Sequence, residues 1–454
     1  MAQSAAGPAA AWSSNLSVYL CTAGAAVGLG SIWRFPYLAG TGGGSAFILI
    51  FILACVLVAT PLLAAELALG RSSRLSPPDA AGAVAGNPRW NAVGILGTLA
   101  AYLIFSYYTV IAAWVLAYAW KCAIGLLSAA GPQHVADLWT EFQARPLEVA
   151  AWHAAFVAIV VIISARGLQR GIEPANKIRA PALLLLLLIL VTYSLLTGDV
   201  RRGLAFAFKP DFSAVNAQVV LSAIGQAFYA TGVGQAMMIA FGAYVERGTS
   251  LVRTSLVITA SILGVSLLAT MMIFPLVFGY GLNPAQGPAL VFDVLPRVFA
   301  EMPGGRLIGT LFFLLLVLAA TTPSLALVEP VAAWIVSRFR VARSTAVWAI
   351  GISSWVLGLG SVLSFSRWAN WYPLSFIPLF AHKTVFDVLD YVSSNIMMPV
   401  GALLTSILVG WRVSTVFERE ELAETTPMAR VACVWLLRYV CPVAILAVFI
   451  ATLV

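Results

Sequence analysis

Hydrophobic stretches long enough to cross a bilayer as a helix, which takes about 20 mostly apolar residues, recur along the whole chain. They fall at about 15–37, 45–70, 90–122, 150–166, 176–197, 215–244, 252–280, 306–336, 345–364, 384–411 and 430–453. The pattern predicts an all-α integral membrane protein of about eleven transmembrane helices, forming a single domain over residues 1–454. Most stretches read as plain lipid-compatible helices rich in Leu, Ala and Val, such as Ala182 to Leu190.

Two stretches differ. The first carries Gly24, Gly28 and Gly30 ahead of Trp33-Arg34-Phe35-Pro36, and the sixth carries Gly225, Gly232 and Gly234 around Gln226-Ala227-Phe228-Tyr229. Glycine in a helix interior costs about 1 kcal/mol against alanine, so each cluster is a natural place for the helix to open. Opened backbone at membrane depth survives only where it lines a protein cavity. Close helix packing through small residues is the competing use of such glycines. The two stretches head successive sets of five, and interrupted spans in matching places of two halves mark an inverted-repeat transporter. The expected architecture is therefore a 5+5 inverted repeat with helices 1 and 6 interrupted. Its first repeat covers 12–200 (helices 1–5), its second 212–412 (helices 6–10), and an eleventh helix covers 428–454.

Composition narrows the class. Hydrophobic residues make up 61% of the chain and charged residues 10%, against about 25% charged in soluble domains. The net charge of +8 forms no stripe of the kind that binds nucleic acid, because the basic residues sit at span ends. A cytoplasmic amino end places fifteen Lys and Arg inside against nine outside, the sense of the positive-inside rule. The apolar run Leu16 to Leu29 is not read as a signal peptide, since these begin with a basic region and the first basic residue is Arg34. Cys21, Cys55, Cys122, Cys433 and Cys441 lie in or beside spans without paired loop spacing, so neither a disulfide framework nor a metal motif is implied. His134, His153 and His382 are far apart and form no acid–base or metal cluster. Gly28-Leu29-Gly30 lacks the βαβ context of a dinucleotide loop. An enzyme is not expected.

The residues around the breaks also carry a family resemblance. Trp12, then Gly24-Ala25-Ala26-Val27-Gly28-Leu29-Gly30 running into Trp33-Arg34-Phe35-Pro36-Tyr37, then Gly42-Gly43-Gly44, resemble the opening of the sodium:neurotransmitter symporter family. So do Glu66 before Gly70-Arg71, Gly171-Ile172-Glu173 with Asn176-Lys177-Ile178, Gln226-Ala227-Phe228-Tyr229 and Phe386-Asp387-Val388-Leu389-Asp390-Tyr391. The eleven-span length is similar to that of bacterial members lacking a twelfth helix. Location in the inner (plasma) membrane follows as an expectation.

The resemblance assigns roles. Solute contacts fall on Ala25, Ala26, Leu29, Gly30, Ile104, Tyr108, Tyr229, Thr231, Gly232, Gln235 and Leu327. Tyr108, with the opened N–H groups near Leu29 and Gly30, is the position that holds a substrate carboxylate; helix ends that present N–H groups to an anion make physical sense of this. Family carriers of amines without a carboxylate have aspartate at the position of Gly28, so a solute with its own carboxylate is implied. Gln235 replaces the usual apolar residue and is expected to meet a polar group. Arg34 and Asp390 are the outer gate, with Tyr229 as its lid and Asp387 able to share the role; snorkelling to the interface is the bland alternative for both charges, each costly at bilayer depth. Glu66 and Glu329 are expected to hydrogen-bond between helices.

Ion positions depart from the family. The first sodium site falls on Ala26, Ser31, Ala230 and Ile262, where the last two offer no side-chain oxygen, and hard cations need oxygen. The second falls on the carbonyls of Gly24, Val27 and Ala319 and the hydroxyl of Thr322, with Pro323 in place of a hydroxyl residue and Thr321 beside it. At the chloride position Phe51 and Ala230 replace hydroxyl residues, leaving Gln226 and Ser266. No cofactor is expected beyond at most one sodium ion, and chloride is not expected. The inner-gate pair falls on Ala9 and Ser337 although Trp12 and Tyr244 remain, so the cytoplasmic side is expected to open more readily. Gly171 and Pro181 resemble the inner-release element, with Arg179 beside them reading as an interfacial snorkel or a charge in place of sodium.

The function expected is symport-like, alternating-access transport of a small, carboxylate-bearing, amino-acid-like solute. Alternatives are a transport-dead sensor or scaffold on the same fold, and a sodium-independent or proton-coupled exchanger. Solute and membrane lipid are the partners expected, and oligomeric state is left open. The topology is testable: a reporter fused after Val454 is expected outside the cytoplasm, and cytoplasmic fluorescence from that fusion would show the span count to be wrong.

Overall fold

The structure is a computed structural model that describes residues 12–127, 132–209, 211–282 and 290–453. Among the described residues nine helices are long and apolar enough to cross a membrane: Ser45–Ser73, Pro88–Ala123, Pro146–Ala165, Leu168–Thr197, Leu251–Gly279, Gly305–Phe339, Arg343–Ser364, Val385–Arg412 and Pro427–Thr452. They are spans 2–5 and 7–11. Span 1 is a bent pair, Asn15–Ala26 and Gly30–Thr41, with 54° between its halves. Span 6 is Ala217–Thr231 and Met237–Gly242, halves too short to cross separately. Among the described residues, nine of the eleven stretches read from the hydrophobic pattern are helices long enough to span, the first is a bent pair that is long enough as one span, and the sixth is two shorter helices.

Local chemistry sets the starts of these helices. Side-chain caps hold the first turns of span 1 (Ser14 to the Ser17 N–H), span 6 (Asn216 to Val219) and span 7 (Ser250 to Arg253), satisfying donors that a helix start leaves open. Span 10 opens on a capping box between Thr384 and Asp387. Asp387 accepts from the Thr384 N–H at 3.0 Å and the hydroxyl at 2.7 Å. Its carboxylate is therefore committed to starting the helix, a correction to the gate role considered for it.

Spans 3 and 8 form the centre, with 78% of the apolar window buried in each, whereas span 5 buries 28% and faces outward. The second half of span 6 presses on span 2 closely enough that a Cβ at Gly242 would lie 2.3 Å from Leu67 O, so some glycines do serve packing. Charged groups tie the elements at the Trp12 end. Arg343 forks onto Glu329 at 2.9 and 2.5 Å, and Tyr244 donates to the same carboxylate at 2.9 Å. Arg71 pairs with Glu421 at 2.6 Å. Glu173 of span 5 accepts from the Ser13 and Ser17 hydroxyls and pairs with Lys177 at 2.7 Å, fastening the start of span 1. Ala9 lies outside the described residues. Among the described residues Ser337 bonds to Trp334 O within its own helix, and the ties at this end come from Glu173 and Glu329.

Candidate functional site

Both breaks occur where side chains cannot fit. Span 1 leaves helical geometry at Val27 (φ −80°, ψ 97°). A Cβ on Gly28 would lie 2.7 Å from Pro323 Cγ and 3.4 Å from Tyr108 Oη, and one on Gly30 would lie 3.0 Å from the Tyr229 ring. In span 6, Gly232 and Gly234 take left-handed φ values of 67° and 85°, followed by Ala236 at 55°, a region that costs an L side chain steric strain. The Gly234 N–H freed by this turn donates to Glu66 Oε1 at 2.7 Å. Glu66 is thus a partner for opened backbone, and Glu329 an ion-pair and hydrogen-bond partner, as their sequence context implied.

The breaks border a cavity of about 40 Å³. Ala25, Ala26, Leu29, Gly30, Ile104, Tyr108, Tyr229, Gly232, Gln235 and Leu327 lie on its wall together with Gly28, Ala230, Met237 and Pro323. Thr231 does not: its hydroxyl donates to Ala227 O at 2.7 Å inside span 6. Met237 was missed because only the left-handed turn at Ala236 brings it to the cavity, and Pro323 because the sequence placed it with the ion ligands. Tyr108 Oη is buried and without a hydrogen-bond partner, although it lies beside the Leu29 backbone. Gln235 Nε2 has only Met398 Sδ, at 3.3 Å, a weak acceptor.

A second cavity of about 230 Å³ reaches Arg34 and Tyr229 from the other side, so Tyr229 is a partition between two spaces. The Arg34 guanidinium lies 4.2 Å from the Tyr229 ring centroid, within cation–π range. Arg34 and Asp390 do not form an ion pair here. Asp390 accepts instead from Tyr107 at 2.9 Å and Ser394 at 3.0 Å; the Tyr107 role was hidden in sequence by its neighbour Tyr108.

The ion positions separate. Gly24, Val27 and Thr322 line a largely apolar cavity of about 420 Å³, bounded by Ala180 and Pro181 of span 5 and Ser261 of span 7. The carbonyls of Gly24 and Val27 have lost their helical donors: Gly28 has left the helix, and the Ser31 N–H turns to Gly28 O at 3.1 Å. Thr322 Oγ1 makes only a long 3.3 Å bond to Leu318 O, whereas Thr321 is engaged with Val317 O at 2.5 Å. These groups fit a hard cation. At the first position Ala26 and Ala230 line the solute cavity, Ile262 is wholly buried, and Ser31 Oγ has no partner. At the anion position the Phe51 ring packs on Phe35 at 4.6 Å, Gln226 donates to Gly30 O at 2.9 Å, and Ser266 Oγ is unpartnered. Arg179 is half-buried, with Nη1 shielded and unpartnered.

Two interrupted helices closing on a buried cavity, inside an all-helical multi-pass membrane protein, define an inverted-repeat secondary transporter. Residues 9–135 and 147–454 match the sodium:neurotransmitter symporter family, and the chain belongs to that family of transporters. It is 35% identical over 445 residues to the uncharacterized sodium-dependent transporter YhdH of Bacillus subtilis (strain 168), covering 97% of this chain and 96% of the relative. An uncharacterized sodium-dependent transporter of Haemophilus influenzae is 31% identical over 455 residues, covering 97% and 98%. Among solved structures, the crystal structure of MhsT in complex with L-phenylalanine superposes with a TM-score of 0.88 at 34% identity, over 98% of this chain and 100% of that one.

The Glu66 contact is testable. Glu66→Leu leaves the buried Gly234 N–H unpaired and is expected to cost about 1–3 kcal/mol, read as a lowered unfolding temperature. Glu66→Gln keeps an acceptor oxygen and is expected to lose clearly less; equal losses would refute the contact's role.

Proposed function

We propose that the chain carries a small amino-acid-like solute bearing a free carboxylate across the inner membrane by alternating access, its amino end in the cytoplasm. One observation carries the carboxylate: the Tyr108 hydroxyl is buried, unpartnered and beside the Leu29 backbone, on the wall of a cavity between two opened helices. Buried polar groups are rarely left unpaired, and a phenol next to opened N–H groups complements an anion. The absence of room at Gly28 supports the same reading, since the wall leaves no space for an acidic side chain there. The L-phenylalanine bound by MhsT supports an amino acid as the solute class. Gln235, held by a thioether alone, is free to meet a polar group on the solute, and Tyr229 with Arg34 closes the outer side.

Tyr108→Phe tests the pose. Loss of a hydrogen bond to a charged group is worth about 1.5–3 kcal/mol, so amino-acid affinity is expected to fall about ten-fold or more. Stability without solute should hold or rise, because an unpaired hydroxyl is removed. Affinity is read by thermal-shift titration, with decarboxylated amines as the comparison. Unchanged amino-acid affinity in this variant would refute the pose.

Sodium acts, on this reading, through the second position alone. Solute binding is expected to show a weak sodium dependence with a Hill coefficient of about 1 or below and no chloride dependence. Thr322→Val should remove the sodium effect and Ser31→Ala should leave it. A coefficient approaching about 2, the bound for two linked sites, would contradict the assignment. The oxygen-poor first position favours a second reading, a solute sensor that does not transport. Counterflow of labelled solute in liposomes separates the two, because exchange needs no net ion drive.

A further inference from the structure

Pro323 stands where a hydroxyl residue is expected at the second cation position, so a tally of side-chain oxygens makes the site one ligand short. The backbone supplies a different account. In an α-helix the N–H of residue 323 would bond the carbonyl of residue 319. Proline has no N–H, and its ring crowds that carbonyl. Span 8 nevertheless runs unbroken from Gly305 to Phe339 with Pro323 inside it. Ala319 O therefore loses its helical donor at a fully buried residue.

Neighbouring side chains do not repair the loss. The hydroxyls of Thr321, Thr322 and Ser324 donate to Val317 O, Leu318 O and Ala320 O, at 2.5, 3.3 and 2.8 Å. The series passes over Ala319, because residue 323 has no hydroxyl to continue it. An orphaned buried acceptor costs about 1–3 kcal/mol unless something else pairs with it. This turn of span 8 also packs on the break in span 1: a Cβ at Gly24 would lie 2.8 Å from Thr322 Cγ2, and one at Gly28 2.7 Å from Pro323 Cγ. The break that frees the Gly24 and Val27 carbonyls abuts the turn that frees Ala319.

We infer that Pro323 is a positioning residue of the second cation site, giving up a side-chain oxygen and releasing the Ala319 carbonyl as a ligand in exchange. The inference rests on the second-site reading above. It makes the proline a ligand-releasing element, where a purely structural proline would only bend the helix.

The experiment measures unfolding temperature of the purified protein against sodium chloride, with choline chloride holding ionic strength constant. Wild type is expected to be stabilised saturably by sodium, as a ligand of the folded state is. Pro323→Ala restores the N–H and adds no oxygen, and its half-saturating sodium is expected to rise about ten-fold or more. Pro323→Ser restores the N–H but adds a hydroxyl, and is expected to stay within about three-fold of wild type. Pro330→Ala, in the same helix, releases no proposed ligand and should leave the sodium response unchanged. Where Pro323→Ala fails to fold in choline, Pro323→Gly makes the same comparison. A folded Pro323→Ala or Pro323→Gly with the wild-type sodium half-point overturns the inference, as does an equal loss in Pro330→Ala. A wild type with no sodium response overturns instead the second-site reading beneath it.

Discussion

Inside a bilayer no water is at hand to bond a free N–H or C=O, so each residue taken out of a spanning helix must find another partner or line a cavity. Most of this architecture answers that constraint. The helices open at 27–28 and 232–236, and a carboxylate from span 2 reaches across to hold the Gly234 N–H. The carbonyls of Gly24 and Val27 and the hydroxyl of Tyr108 are left unmatched at the cavities. At the span 6 break a side chain takes up the freed Gly234 N–H, whereas at the span 1 break acceptor and donor groups stay open. Solute and cation are the partners those open groups fit.

The same constraint explains why the fixed and the opened parts lie where they do. Spans 3 and 8 bury most of their surface and provide Tyr108, Thr322 and Pro323 as a wall. Opposite them the first half of span 1 is only twelve residues long and leans on side-chain ties: Ser13 and Ser17 to Glu173, and the Trp12 indole to Phe241 O at 3.3 Å. This short helix also packs its buried side on spans 5, 7 and 8. The side-chain ties fasten the Trp12 end of span 1 to spans 5 and 6.

Much of this was legible in the sequence for physical reasons. Span length follows from bilayer thickness, and the two breaks from glycine clusters in matching places, so helix count and interruptions could be read directly. The cavity wall came from the family resemblance, with Tyr108 and Gln235 also standing out as polar groups at membrane depth. What escaped depends on direction and on competition. Thr231 spends its hydroxyl on its own helix, Asp387 is captured by Thr384, and Asp390 prefers Tyr107 and Ser394 to Arg34 in this conformation. A sequence shows which groups can bond, and only the fold decides which of several partners is nearer.

The division of the second cation position between two spans gives coupling a mechanical form. Gly24 and Val27 belong to span 1, and Ala319 and Thr322 to span 8, so a cation held by all four, as proposed above, would tie span 1 to span 8 beside the 420 Å³ cavity. A ligand shifts a conformational equilibrium only by its differential affinity for the two states. On the proposed second-site reading, a cation at this seam would favour the docked position of span 1, because undocking would remove the span 1 carbonyls from its shell. On the same reading, Ala230 and Ile262 offer the first position no side-chain oxygen, so coupling would run through the docking of span 1 and not through an ion that shares the solute's carboxylate.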